Sequence, residues 1–395
     1  MRRGVWLIPL VSVALALAMP SRAPAQGAGC GLPGSDCALR EVADAVSRWV
    51  GAAAATPGED AEIEAILAAE FNSLTPENAL KWPELASAPG QYDFTVADAL
   101  VELAEQGGVR GHTLVWHRLN GIPSWLEAEV NQAPDPAARM RELLTQHIQT
   151  VVGRYAGRIE SWDVVNEPLA VLGGDLDPNS IFLQTLGPGY IAEVFELAHQ
   201  VDPQAKLFLN EVMVEGLPAK ATGLATLVSD LLAQDVPIHG VGLQGHFFFG
   251  VPRREKLEAL IRSFADLGLL VEFTEIDIPL GIFDGAAEPL VAQAAAYADV
   301  FSACMAVQRC RGLTTWGLSD RSTWLDRVAP WNANAPNRPL LFDEVLQPKP
   351  AYFAARAAMQ SQPPVPVLGA GPWPLVLDIV PTAFGVLRRR FSAAS

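Results

Sequence analysis

Two periods of hydrophobic and polar positions alternate along the 395-residue chain. Short, nearly continuous apolar runs predict strands at 48–55, 71–78, 109–116, 159–167, 206–211, 238–246, 269–278 and 311–320. Such runs suit strands buried on both faces. Between most of them the apolar positions recur with helical spacing, at 95–106, 137–153, 189–200, 219–234, 254–267 and 288–306. Eight strands alternating with helices predict parallel βα units. An α/β barrel closed from eight such units takes about 250 residues or more. The span from 40 to 360 accommodates one, as a single domain over residues 26–360. No internal sequence repeat is visible.

The pattern breaks in a consistent way at the strand ends. Strand two ends in Glu77 and Asn78, with Lys81 just beyond, and strand three carries His112 and Trp116. Strand four ends in Asn166 and Glu167, strand six in Gln244 and His246. Strand seven holds Glu275 and Asp277, and strand eight Trp316 and Asp320. A parallel barrel gathers these ends at one face, which is where such folds place their chemistry. Residues two or four apart on a strand share a side, which pairs His112 with Trp116, Gln244 with His246, and Glu275 with Asp277. His112 and His117, five apart, face opposite sides, so the pair does not suit a zinc ion. His147, His199 and His239 read as hydrogen-bonded core histidines.

Charge and the termini narrow the picture. The net charge of −16 and the lack of a basic stripe argue against a nucleic-acid partner. Arg2 and Arg3 precede an apolar run from Val5 to Ala18, and "APA" at 23–25 offers a cleavage site. Residues 1–25 therefore read as a signal peptide, and the chain as exported, to the periplasm or beyond. In an oxidising compartment Cys30 with Cys37, and Cys304 with Cys310, are expected to pair as local disulfides rather than remain free thiols. From 361 to 395 the chain becomes Pro-rich and apolar and carries Arg388, Arg389 and Arg390. The plainer reading is a tail that is disordered or packs on the domain. The alternative is a sorting or membrane-association segment, whose prolines weaken a helical span.

Two carboxylates at strand ends suggest an acid/base pair. Singly, each glutamate reads as one half of a salt bridge. Together with tryptophans and amides at the same face, they suit glycoside hydrolysis. That chemistry needs one acid to protonate the leaving oxygen and a second carboxylate to attack the sugar carbon or activate water. In the stretch "WDVVNEP" (162–168) the apolar run ends in Asn166 and Glu167, and a proline stops it. Trp162 and Asp163 within it suit packing and a structural hydrogen bond.

The sequence resembles glycoside hydrolase family 10, the retaining endo-β-1,4-xylanases, from about residue 40 to 358. The resemblance rests on "FNSLTPENALKW" (71–82), "YDFTVADALV" (92–101), "RGHTLVWH" (110–117), "GRIESWDVVNEPL" (157–169), "GVGLQGHF" (240–247), "VEFTEIDI" (271–278), "TTWGLSD" (314–320) and "PLLFDEVLQPKPAY" (339–352). It implies a (β/α)8 TIM barrel that hydrolyses internal bonds of xylan, with Glu167 as acid/base and Glu275 as nucleophile. It implies Asn166 on a sugar 2-hydroxyl, and Glu77, Asn78, Lys81, His112, Trp116, Gln244, His246, Trp316 and Trp324 along the glycone side. His246 and Asp277 are placed to keep Glu275 ionised. No cofactor or metal is expected, and a monomer acting on xylan or xylo-oligosaccharides is. A barrel glycosidase on another β-glycan, or a non-catalytic polysaccharide-binding protein, is the alternative.

Two stretches depart from the family pattern. "HRLNGIPSW" (117–125) has two extra residues, and Leu119 stands where Gln is usual. Asn120 is expected to supply the lost hydrogen bond to sugar. "NEVM" (210–213) replaces N-D-Y-N, removing an aromatic residue from the aglycone side.

Overall fold

All eight predicted strands form, most of them shorter than the sequence pattern suggests. They are β1 (Trp49–Ala54), β2 (Ser73–Pro76), β3 (Gly108–Trp116), β4 (Ser161–Asn166), β5 (Lys206–Glu211), β6 (Gly240–Leu243), β7 (Leu270–Ile276) and β8 (Cys310–Thr315). The structure, a computed structural model, describes residues 29–361 apart from 59, 105–106, 120 and 329–336. The signal peptide expected at 1–25, and all but the first residue of the tail expected at 361–395, fall outside the described residues.

Every barrel pairing is parallel and sequential. The ring closes where Trp49 and Val50 of β1 pair with Gly312 and Leu313 of β8. Closure leaves the barrel sheet itself without an edge strand. β3 and β4 are buried along their whole length, which explains their continuous apolar reading.

The predicted helices form close to their expected bounds, as in Pro136–Arg154 and Pro289–Met305. Helices Leu39–Ala45, Ala61–Glu70 and Pro350–Gln360 were not expected. Ala61–Glu70 is Ala-rich and buries only Leu67, so it shows little periodic contrast; the Asp60 carboxylate caps it by accepting from Glu62 and Ile63 N–H. Pro350–Gln360 begins with proline in its first turn and packs on Pro289–Met305. Among the described residues no helix is long and apolar enough to cross a membrane.

Both expected disulfides are present, Cys30–Cys37 and Cys304–Cys310. The second ties the end of helix Pro289–Met305 to the start of β8. The first belongs to a segment that meets the last helix. Gln360 Nε2 donates to Ser35 O at 3.0 Å and Cys30 O at 3.4 Å, and Arg356 Nη1 to Cys37 O at 3.3 Å.

One buried cation holds the barrel interior. Arg110 of β3 pairs with Asp163 of β4 and, at 2.5 Å, with Glu272 of β7, while its guanidinium lies 4.6 Å from the Phe208 ring centroid. Asp163 Oδ2 also lies 2.9 Å from His112 Nδ1. The buried acid in the fourth strand is thus doubly paired, as its cost of desolvation requires.

Candidate active site

The strand ends converge on a buried polar layer above Arg110. Its centre is Asn210, the penultimate residue of β5. Asn210 Nδ2 donates to Glu275 Oε1 at 2.6 Å and to Asn166 Oδ1 at 2.9 Å, while its Oδ1 accepts from Thr274 Oγ1 at 2.7 Å. The side chain fits because Gly242 of β6 lies opposite; a Cβ there would sit 2.1 Å from Asn210 Oδ1.

Glu275 is buried and well satisfied. Besides the Asn210 amide, His246 Nε2 lies 3.2 Å from its Oε2 and His112 Nδ1 3.9 Å from its Oε1. Burial alone would raise this carboxyl. The charge of His112, the hydrogen bond and charge of His246 and the Asn210 amide outweigh burial and hold it at about 2. On its other side, His246 Nδ1 lies 2.9 Å from Asp277 Oδ2, which also accepts from Trp324 Nε1 at 2.7 Å. Burial pulls the imidazole down, but Asp277 and Glu275 overcome it and raise it to about 10. His246 is therefore an imidazolium donating to both carboxylates.

Glu167 lies at the mouth of β4, 8% exposed, with its backbone at φ 53. A non-glycine residue in this left-handed region costs of order 1 kcal/mol, which the surroundings must offset. Glu167 N–H donates to Asn210 O at 2.9 Å. Its Oε1 accepts from Gln244 Nε2 at 3.0 Å and Asn166 Nδ2 at 3.4 Å. Behind it, Glu211 Oε2 accepts from Leu169 N–H at 3.0 Å, and its other oxygen meets Lys220 Nζ at 2.8 Å. Burial pushes Glu211 up to about 7 against the opposing charge of Lys220.

The remaining expected residues wall this layer. Lys81 Nζ donates to Asn78 Oδ1 at 2.8 Å and lies 4.9 and 6.0 Å from the Trp116 and Trp316 ring centroids. Its ammonium is pulled down by burial, with Glu275, Glu77 and Glu167 opposing. Asn78 Nδ2 donates to Glu77 Oε1 at 3.2 Å. The Trp316 ring is edge-on to His112 at 5.1 Å, and Trp324 is 5.0 Å from His246.

The alternation argument needs one correction. Gln244, His246, Asp277 and Trp316 lie beyond their strands, so strand pleating does not aim them. Gly245 at φ 76 turns the chain, and Gln244 reaches Glu167 while His246 reaches Glu275. Sequence reasoning also missed Asn210, Thr274 and Glu211 as contributors. The polar end of "KLFLNE" was the available signal for Asn210 and Glu211. As expected, His147 is a core residue, stacked at 4.3 Å on Trp82 with Nε2 3.1 Å from Leu114 O. His117 turns to Asp177 at 3.0 Å, away from His112.

In the departing loop, Leu119 is 75% exposed. The Arg118 guanidinium anchors the loop's base by donating to Leu169 O and Asp177 Oδ2, both at 2.5 Å. Asn120, the expected replacement ligand, falls outside the described residues. Val212 stands where the resemblance leads one to expect an aromatic ring.

Chemically, the layer holds one anionic, fixed carboxylate and a second carboxyl at the mouth, the two linked through Asn166, Asn210 and Gln244. The sequence profile of glycosyl hydrolase family 10 matches residues 38–358. The endo-1,4-beta-xylanase of Geobacillus stearothermophilus is 36% identical over 300 residues, 73% of this chain and 89% of that protein. The beta-1,4-xylanase of Dictyoglomus thermophilum is 38% identical over 303 residues, 73% of this chain and 82% of that one. Native xylanase 10B from Thermotoga maritima superposes with a TM-score of 0.74 at 32% identity, covering 82% of this chain and 98% of its own. Xylanase 10B from Thermotoga petrophila, in complex with xylobiose, gives 0.74 at 31% identity, covering 82% and 98%.

Proposed function

The chain belongs to glycosyl hydrolase family 10, and from that membership we propose that it is an endo-1,4-β-xylanase working by retaining double displacement. Glu275 attacks the anomeric carbon and forms a glycosyl-enzyme. Glu167 protonates the departing oxygen, then takes a proton from the water that releases the sugar. The two carboxyl groups are expected about 5–5.5 Å apart, the spacing that retention requires.

The observation that carries this reading is the asymmetry of the pair. Glu275 is locked by Asn210 and His246 and stays ionised, as a nucleophile must. Glu167 meets only amide donors at its Oε1, from Gln244 and Asn166, which tolerate its gain and loss of a proton. Asn166 binds the 2-hydroxyl beside the scissile bond. Glu77, Asn78, Lys81, His112, Trp116, Gln244, His246, Trp316 and Trp324 take the glycone sugars, with Asp277 supporting His246.

Xylan is favoured as substrate by the relatives, whose names are xylanases, and by the xylobiose bound to the Thermotoga petrophila enzyme. Export is supported by the two disulfides, which persist in oxidising compartments. Incubation with xylan, carboxymethyl cellulose and mannan, with product analysis and NMR of the first-formed anomer, tests the reading. Release of xylo-oligosaccharides as the β-anomer is expected. Release from cellulose or mannan alone would assign the barrel to another β-glycan, and an α-anomer would remove the retaining mechanism.

A further inference from the structure

One acidic side chain outside this machinery touches the turn that aims two of its members. Gly245 separates Gln244, which holds Glu167, from His246, which holds Glu275. The turn is fastened on one side by β7. Gln244 O accepts from Glu275 N–H at 2.8 Å, and Gly245 O accepts from Asp277 N–H at 3.2 Å. The Gly245 N–H is different. At φ 76 the chain has left the ladder, and a buried amide that leaves a ladder needs another acceptor. Glu215 supplies it. From the loop after β5 its Oε1 accepts from Gly245 N–H at 2.8 Å.

We propose that Glu215 is a positioning residue: by holding Gly245 N–H it sets the turn that aims Gln244 at Glu167 and His246 at Glu275. The inference rests on the roles given above to that pair. One carboxyl thus serves both halves of the site without touching the sugar.

The acceptor, not the negative charge, is what the turn requires. Burial raises the Glu215 carboxyl to about 7, with its own amide, Gly245 N–H and the His246 charge opposing. Protonated or ionised, the carboxyl keeps an oxygen that accepts. A glutamine offers the same carbonyl on a side chain of the same length. Methionine keeps the volume and removes the acceptor.

The test compares Glu215→Met, Glu215→Gln and wild type in the full chain, on a dinitrophenyl β-xylobioside and on xylan, below each variant's melting transition. Glu215→Met is expected to lower kcat on both substrates by up to about 100-fold, the scale of loss for an ångström of misplacement. KM should change far less. Glu215→Gln should recover about tenfold or more of that loss. Wild-type kcat in Glu215→Met overturns the inference, as does a glutamine variant no better than methionine, or a change confined to KM. Should the methionine variant fail to fold, Glu215→Ala replaces it under the same criteria. Should neither fold, a glutamine variant more than about tenfold below wild-type kcat overturns the claim that the acceptor is what matters. Glu275→Gln is measured alongside. If it turns over substrate, the reading of the pair fails whatever Glu215 does. If it is dead while Glu215→Met is unimpaired, only the present inference fails.

Discussion

Asn210 Nδ2 and Glu275 Oε1 lie 2.6 Å apart, and the same amide nitrogen reaches Asn166 Oδ1 at 2.9 Å. A single side chain on the fifth strand therefore spans the gap between the fourth strand, which ends just before Glu167, and the seventh, which carries Glu275. The two carboxyl groups are parts of one hydrogen-bonded body.

The first expectation concerns that pair. Glu275→Gln should abolish turnover of every glycoside, because no other group can form the glycosyl-enzyme. Glu167→Gln should lose about 10²–10⁴-fold on xylan, the worth of general acid/base help, and far less in glycosylation of an activated aryl glycoside. Steady-state rates over a series of leaving groups check this; near-normal xylan turnover by either variant removes the assignment.

His246 should govern the acid limb of activity. With Glu275 held at about 2, the proposed nucleophile stays ionised across ordinary acidic pH. Removing a charged hydrogen bond worth about 1.5–3 kcal/mol should move the acid limb of kcat/KM upward by about one to two pH units in His246→Ala. Stability follows the same linkage. Glu275 lies below its ordinary 4.5, so its contribution is present above that value and fades as pH falls toward 2. His246 lies above its ordinary 6.5, so its contribution is present below that value and fades as pH rises toward 10. The stability difference between wild type and His246→Ala, from thermal midpoints, should be widest between pH 4.5 and 6.5.

Arg110→Met should be severely destabilising. It leaves Asp163 and Glu272 buried without their cation, and breaking one side of such a pair costs about 3–5 kcal/mol. Urea unfolding at neutral pH reads the loss. Stability within about 1 kcal/mol of wild type would mean that the barrel interior admits water to these acids.

The Cys304–Cys310 bridge should stabilise modestly. Its partners are six residues apart, so replacing both by alanine should cost less than the ~3 kcal/mol estimated for a 15-residue loop. Intact mass before and after thiol labelling of unfolded, exported protein checks the bridge itself, and two labelled thiols there would refute it.

Much of this architecture is written locally. A strand buried on both faces announces itself as an apolar run, and a polar residue at its end stands out against that run. Glu167 and Glu275 were legible as positions for that reason. Asn210 was visible as polar but not as a bridge, because its partners lie 44 and 65 residues away and only barrel closure brings them together. The same holds for Arg110 and Glu272, 162 residues apart. Glu215 was hidden more deeply. Its one structural cue is a left-handed Gly245, and a glycine in a sequence does not disclose which amide it turns away.

The hydrogen bonds between Gln360 and the Cys30–Ser35 segment bring the two ends of the described chain side by side. One end leads into β1 and the other returns from β8 by helix Pro350–Gln360, so both lie where the strands begin. The carboxylates sit where the strands finish. Cargo domains or solid supports attached through either end would thus leave the sugar-facing mouth unobstructed. For the same reason, the two ends could be spliced through a short linker and the chain reopened elsewhere, giving a circularly permuted barrel with its catalytic face untouched.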